Sequence, residues 1–204
     1  MTIVVGRFWK PLLLCGLAVI EPAQVRAQSD AGAPAAAERA RDGQHDFDFE
    51  FGAWTAQLSR LERPLSGSTT WVEYEGTSVV RRVWDGRANL GELEVEGPAG
   101  RIQGLTLRLY NPASGQWHIS WANSRDGLIG APMVGGFENG RAEFYGQESF
   151  DGRTIYVRFI FSDITSSTFR FEQAFSDDGG KTWEANWIAT FARVDVDADG
   201  RPIR

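Results

Sequence analysis

The residues with most capacity for chemistry are polar side chains that fall on otherwise apolar strand faces. Arg60 is in phase with Trp54 and Leu58, and Glu148 is in phase with Phe150. A carboxylate and a guanidinium beside an apolar pocket can move a proton and hold an anion. We therefore nominate Glu148 as a general base and Arg60 as its anion partner, should the protein be an enzyme.

Four further residues on the same faces are candidates for binding a ligand. They are Trp121, Asn123, Gln173 and Trp187. Aromatic walls with a few convergent polar groups are the usual form of a small-molecule site. Together with Arg60 and Glu148 they form the predicted ligand-binding set. The alternative for each polar member is a solvated position at a strand end.

Several familiar sites have no counterpart in this sequence. Motifs for a serine nucleophile, a zinc protease or a nucleotide-binding loop do not occur. His118 alternates with Trp117, so we expect it to face outward, which disfavours a haem ligand. Asp195 begins a series typical of calcium loops, but the closing carboxylate would be needed at residue 206. We expect neither a metal nor a cofactor.

Charged residues occupy the strand faces opposite the apolar ones. They are Arg108, Glu143, Arg158, Arg170, Glu172 and Glu184. We expect these residues to form ion pairs between neighbouring strands on the outside of the protein. If the orientation of a strand were inverted, its charges would line the interior and could do acid–base chemistry.

Closely spaced turn signals divide residues 45–193 into ten strands. Asn139-Gly140 and Asp151-Gly152 are typical of two-residue hairpin turns. Between such turns, apolar residues alternate with polar ones, as in residues 155–161. Ten hairpin-linked strands favour a closed antiparallel up-and-down barrel, in which the first and last strands pair, over a two-sheet sandwich. A ten-stranded barrel is wide enough to hold a small ligand.

Residues 176–183 match the Asp-box pattern, Ser-x-Asp-x-Gly-x-Thr-Trp. In this pattern an aspartate accepts backbone N–H groups within a hairpin turn. We expect Asp178 to stabilise its turn and Trp183 to pack beneath it. The segment is therefore predicted to be structural rather than catalytic.

The two ends of the chain are predicted to lie outside the barrel. Residues 1–27 combine basic residues, an apolar run over 11–20 and small residues before a cleavage point at Ala27, which indicates a signal peptide. Ten apolar residues are too few to span a bilayer, so we expect a periplasmic or secreted protein without a membrane anchor. Residues 28–44 are predicted to be a flexible linker and residues 194–204 a disordered tail.

Composition excludes two broad classes of function. Acidic residues outnumber basic ones by 27 to 21, which disfavours a nucleic-acid partner. The single cysteine, Cys15, lies in the predicted signal peptide. The exported chain would therefore hold no disulfide and no thiol nucleophile.

The segment Phe51-Gly52-Ala53-Trp54 resembles the Gly-x-Trp that opens the first strand of lipocalins and related calycin barrels. Arg193 resembles the arginine that packs over that tryptophan in those proteins. The strand count is more similar to fatty-acid-binding proteins and nitrobindins, and residues 124–127 and 175–184 resemble a group of secreted bacterial proteins of unknown function. The resemblance implies a calycin-like barrel over residues 47–193, and it implies no activity.

In a closed antiparallel barrel the start of the first strand and the end of the last strand lie at the same end, so we expect the two ends of the barrel to differ. Trp54 and Arg193 would close one end, with Phe47, Phe49 and Phe51 laid over it. The turns predicted at the other, open rim cover residues 63–68, 96–100, 124–131 and 151–152.

We therefore predict an exported barrel that binds a small, mostly apolar or aromatic molecule in its lumen. One alternative is a cofactor-independent cyclase, isomerase or lyase that uses acid–base residues of the lumen. Another alternative is a structural accessory module of the cell envelope, for which we expect an interior filled by side chains.

Overall fold

Ten antiparallel strands close into a barrel in the computed structural model, which describes residues 42–197. Each strand pairs with its neighbour along the chain, and the first pairs with the last. The strands are β1 (Gly52–Leu61), β2 (Trp71–Val83), β3 (Ala88–Gly97), β4 (Gly100–Asn111), β5 (Gln116–Asn123), β6 (Met133–Glu138), β7 (Arg141–Phe150), β8 (Arg153–Ser162), β9 (Thr168–Ser176) and β10 (Glu184–Val194). The predicted fold class is confirmed.

Alternation and turn chemistry explain why these segments form strands. In β8, the apolar residues at alternate positions from Ile155 to Phe161 are buried in the barrel core. Asn139 and Asp151 adopt φ angles of 51° and 47°. The glycine that follows each of them also has positive φ. Such paired positive angles match the twist of the flanking strands and allow two-residue hairpins.

The chain before β1 forms a plug at one end of the barrel. It folds as two 3-10 turns, Gly43–His45 and Asp48–Glu50. Phe47 is fully buried, and its ring centre lies 5.0 Å from that of Trp117. The Trp117 indole N–H donates to the carbonyl of Gly43 at 2.9 Å. Gly43, predicted as part of the linker, is thus buried against the barrel.

The predicted outward orientation of Arg108 is wrong. Arg108 is only 6% exposed and faces the interior of the barrel. The outer face of β4 instead carries Leu105 and Leu109, while Thr106 shares the inner face. Glu50 of the plug supplies a buried partner for the guanidinium, which offsets part of the cost of burying its charge.

Four other charged residues of that set lie on the outer wall, as predicted: Glu143, Arg158, Arg170 and Glu172. Glu172 contacts Arg170 at 2.8 Å and Arg158 at 3.9 Å. Glu143 pairs with Arg141 on its own strand. The outward orientation predicted for Glu184 is wrong, because the register shift in β10 places it on the inner face, opposite Phe175. Its carboxylate accepts the backbone N–H of Leu65.

The Asp-box forms a stabilised turn outside the barrel lumen. Asp178 accepts the N–H groups of Lys181 and Thr182 and the hydroxyl of Ser176. These hydrogen bonds hold the pKa of Asp178 well below its usual range. Trp183 packs on the outside, 4.7 Å from the Arg158 guanidinium. The prediction that Asp178 stabilises its turn is confirmed.

The predicted signal peptide lies outside the described residues, as do most of the predicted linker and tail. Val194, predicted as the first residue of the tail, ends β10. Between residues 42 and 197, no helix has the length and apolar character needed to cross a membrane.

Candidate functional site

The barrel interior contains a cavity of about 330 Å³. This volume lies at the small end of the range of small-molecule pockets. Its aromatic lining comes from β5 and β7–β10, while β1–β4 contribute aliphatic and polar residues. The aromatic lining residues are Trp121, Phe150, Phe159, Phe161, Phe169, Phe171, Phe175, Trp187 and Phe191. The apolar residues at alternate positions of these strands thus face inward and line one cavity.

Polar side chains enter this lining at three levels. Arg60 and Glu148 lie at strand ends on the side of the open rim, Gln173 and Asn186 lie in the wall, and Glu50 and Arg108 lie toward the plug. We call these pairs the rim, wall and floor pairs. Five of the six predicted ligand-binding residues line the cavity: Arg60, Trp121, Glu148, Gln173 and Trp187.

The rim pair remains in contact with solvent. Arg60 is exposed, with its guanidinium 5.7 Å from the ring centre of Trp187. Glu148 also keeps an exposed surface, but partial burial of its carboxyl group raises its pKa. Within the part of the chain that the structure describes, no ion pair joins Glu148 to Arg60. The two residues predicted to cooperate share the cavity without direct contact.

The wall pair contains a residue that the sequence analysis missed. Strict alternation places Asn186 on the outer face of β10, yet it is 2% exposed and lines the cavity. The register with β9 shifts between Ala185 and Trp187. A bulge of this kind turns an extra residue toward the interior. No glycine or proline marks it in the sequence.

Asn186 has one hydrogen-bonding atom in use and one free. Its Oδ1 accepts a hydrogen bond of 2.8 Å from Nε2 of Gln173. Its Nδ2 is buried and has no partner among residues 42–197. The wall therefore presents a fixed amide with an unused N–H donor.

The floor pair is a buried salt bridge. Nη1 of Arg108 lies 2.8 Å from Oε2 of Glu50, and Nη2 donates to Oε1 at 3.0 Å. Nη1 also donates to Oδ1 of Asn89, and the guanidinium lies 4.8 Å from the Phe47 ring centre. Burial raises the pKa of Glu50 and lowers that of Arg108, and each charge limits the shift of the other.

The sequence did hold one signal for this floor. The turn between β3 and β4 pairs Gly97 with Gly100, and the same register pairs Asn89 with Arg108. Asn89 and Arg108 therefore lie opposite each other on the two strands of a predicted hairpin, on the face that points into the barrel. Their shared orientation could have indicated a buried polar cluster.

Trp121 owes its position to a glycine on the neighbouring strand. A Cβ atom at Gly104 would overlap the Trp121 ring, so that ring lies directly against the β4 backbone. Trp121 meets Trp187 edge to face, with ring centres 6.1 Å apart. This close approach leaves room in the cavity that a larger residue at position 104 would remove.

Asn123 does not line the cavity, which corrects its placement in the ligand-binding set. It ends β5, and its Oδ1 accepts the backbone N–H groups of Arg125 and Asp126. An asparagine in this position stabilises a turn. His118 lies on the outer face of β5, opposite Leu109 in the register with β4.

No protein-family model matches the chain, and no curated protein matches it. Among solved structures, the S-type phycobiliprotein lyase CPES from Guillardia theta is 12% identical, with 77% of this chain and 95% of that chain covered and a TM-score of 0.54. Rv2717c from M. tuberculosis is also 12% identical, with coverages of 76% and 99% and a TM-score of 0.52. These likenesses concern the fold alone, and they confirm the calycin-like barrel predicted from Gly-x-Trp and the strand count.

Proposed function

We propose that this protein binds a small, largely apolar or aromatic molecule inside its barrel. The observation that carries the proposal is the cavity, since nine aromatic side chains surround a space that they do not fill. Water in such a space makes few hydrogen bonds with its walls, and an apolar molecule that replaces this water gains free energy. The open interior also argues against a purely structural module, for which a filled barrel is expected.

The polar residues support binding of one molecule in one orientation. A few polar groups in an apolar pocket fix how a ligand lies. Here the rim pair marks the open side and the wall pair lies deeper. A ligand with an apolar body and a limited number of polar atoms suits this arrangement.

A fluorescent apolar probe, N-phenyl-1-naphthylamine, provides the test. We expect saturable enhancement of its fluorescence by the full chain. Trp187→Ala should weaken binding about five- to tenfold, because it removes an aromatic wall. Trp84→Ala is the matched control, since Trp84 is 68% exposed and lies after β2 at the plugged end. A folded protein that binds no apolar probe saturably would contradict the proposal.

Proton-transfer catalysis in the same cavity is a second candidate. The observation that favours it is the position of Glu148 in the cavity lining. Partial burial there raises the pKa of its carboxyl group, and a carboxylate with a raised pKa is a better base near neutral pH. Mass spectrometry of molecules that co-purify with the protein would supply a substrate to assay. Glu148→Gln should then abolish turnover while it still binds the substrate. Unchanged turnover would remove Glu148 from the mechanism.

We further propose that the protein acts in the periplasm or outside the cell. The support is the signal-peptide pattern of residues 1–27. Cell fractionation followed by mass measurement of the exported form is the test. We expect a mature N-terminus at Gln28, and an uncleaved cytoplasmic protein would overturn this assignment.

A further inference from the structure

The cavity lining contains buried hydrogen-bond donors that have no acceptor. Nδ2 of Asn186 and Nε of Arg108 are buried and unpartnered among residues 42–197. Among these residues, the one buried acceptor of the lining without a hydrogen bond is Oε2 of Glu50. It lies 2.8 Å from the Arg108 guanidinium, and the positive charge of that group stabilises it. A buried donor without an acceptor is unfavourable, and native proteins rarely keep one. We therefore expect a bound ligand to supply a hydrogen-bond acceptor to this lining.

Asn186 is the donor best prepared for a ligand. It is 2% exposed, and the β10 bulge fixes its backbone so that the side chain faces the cavity. The hydrogen bond from Gln173 to Oδ1 holds the amide plane. A donor that is already oriented loses little entropy when an acceptor arrives.

The charges of the lining favour a neutral acceptor over an anionic one. Arg108 is already neutralised by Glu50, so the floor has no spare positive charge. Arg60 lies at the exposed rim, where solvent weakens its attraction for an ion deeper in the barrel. A carboxylate beside Asn186 would lose its hydration without gaining a counter-ion.

We propose that the ligand is a neutral aromatic molecule with a carbonyl-type oxygen, and that this oxygen accepts a hydrogen bond from Nδ2 of Asn186. This inference rests on the proposed function and names the ligand class for the same cavity. The aromatic wall takes the ring system, and Asn186 recognises the oxygen.

Three probes of nearly equal shape test this inference by isothermal titration calorimetry on the full chain. They are 2-acetonaphthone, 2-isopropenylnaphthalene, in which a CH₂ group replaces the carbonyl oxygen, and the anion 2-naphthoate. We expect the ketone to bind about tenfold more tightly than the hydrocarbon, the gain that one neutral hydrogen bond provides. The anion should bind most weakly of the three.

Substitution of Asn186 tests whether its side-chain amide causes the preference for the ketone over the hydrocarbon. Asn186→Leu should remove the preference for the ketone, while Thr190→Ala, on the exposed outer face of the same strand, should retain it. Infrared spectroscopy of bound 2-acetonaphthone gives a second measurement that needs no variant. The carbonyl stretch should move to lower wavenumber than in hydrocarbon solvent.

The possible failures separate the two proposals. Equal affinities for the ketone and hydrocarbon, tightest binding of the anion, or a preference that survives Asn186→Leu would each overturn the ligand class, with cavity binding still supported. Absence of saturable binding by all three probes would overturn both proposals.

Discussion

The guanidinium of Arg193 lies 4.1 Å from the ring centre of Trp54, and the two residues face each other in the register of β10 and β1. The same guanidinium donates hydrogen bonds to the carbonyls of Phe49, Phe51 and Ser166. One side chain thus joins the plug, the first strand, the last strand and the turn before β9. This arrangement is the contact predicted for the closed end of the barrel.

Removal of this contact should destabilise the fold without changing the cavity. We expect Arg193→Ala to lower the free energy of unfolding by about 1–3 kcal/mol, through lost cation–π attraction and hydrogen bonds. Urea unfolding gives the stability, and titration with N-phenyl-1-naphthylamine gives the affinity, which should stay within about twofold. Arg193→Lys should recover only part of the loss, since lysine lacks the planar fork of donors.

The opposite result is expected at the open rim. Arg125→Ala, in the turn after β5, should alter probe affinity with little change in stability. If Arg193→Ala instead unfolds at the same urea concentration as the unmodified protein, the assignment of this end as the stabilising closure is wrong.

The contact between Trp54 and Arg193 was predictable because both lie near the ends of strands that must pair in a closed barrel. Pairing, not side-chain packing, brings them together. The same logic placed Trp121, Gln173 and Trp187 on the cavity wall, since alternation of period two assigns each residue to one face.

Arg108 and Asn186 were not placed by this logic, for two different physical reasons. The outer face of β4 carries leucines, so apolar residues did not mark the interior, and the partner of Arg108 comes from a plug 58 residues earlier. Asn186 faces inward because of a bulge, and a single extra residue reverses the face of its neighbour. Neither a partner that is distant in sequence nor a local register shift can be predicted from the alternation of apolar and polar residues.

A methyl group at position 104 should reduce the space available to a ligand. In Gly104→Ala the Trp121 ring must leave the β4 backbone, because the new Cβ would overlap it. We expect a loss of about 1–3 kcal/mol in stability from overpacking and weaker probe binding. Gly136→Ala is a matched control, since nothing lies within 4 Å of a Cβ there. Equal affinities in Gly104→Ala and Gly136→Ala would show that Trp121 does not shape the binding space.

The floor pair should behave as one unit in a double-mutant cycle. Glu50→Leu and Arg108→Met should each cost about 3–5 kcal/mol, because each leaves a buried charge without its partner. The double variant should cost less than the sum by about 2–3 kcal/mol, since no charge then remains buried. Urea unfolding measures all four corners of the cycle.

An exposed ion pair provides the comparison for this cycle. Arg101 and Glu94 contact each other at 2.7 Å with about half of each side chain exposed. Alanine substitutions there should show a coupling below about 1 kcal/mol, because solvent screens the pair. A coupling of that small size at Glu50 and Arg108 would contradict the view that their charges depend on each other.

The pH dependence of stability should report the environment of Glu148. Burial raises the pKa of this carboxyl group, so the folded protein holds the proton more tightly than the unfolded chain does. The resulting stabilisation is present below the unfolded pKa and is lost as the pH rises through the folded pKa. Glu148→Gln cannot ionise, so its stability relative to the unmodified protein should increase as the pH rises from about 4 to about 7. Urea unfolding across this range measures the difference, with the exposed Glu62→Gln as control.

The affinity for neutral N-phenyl-1-naphthylamine should fall between about pH 4 and about pH 7 in the unmodified protein and stay constant in Glu148→Gln, because an ionised carboxylate at the rim resists further loss of water. Parallel pH profiles for Glu148→Gln and the unmodified protein would mean that the carboxyl is hydrated like any surface glutamate, and the case for Glu148 as a base would be lost.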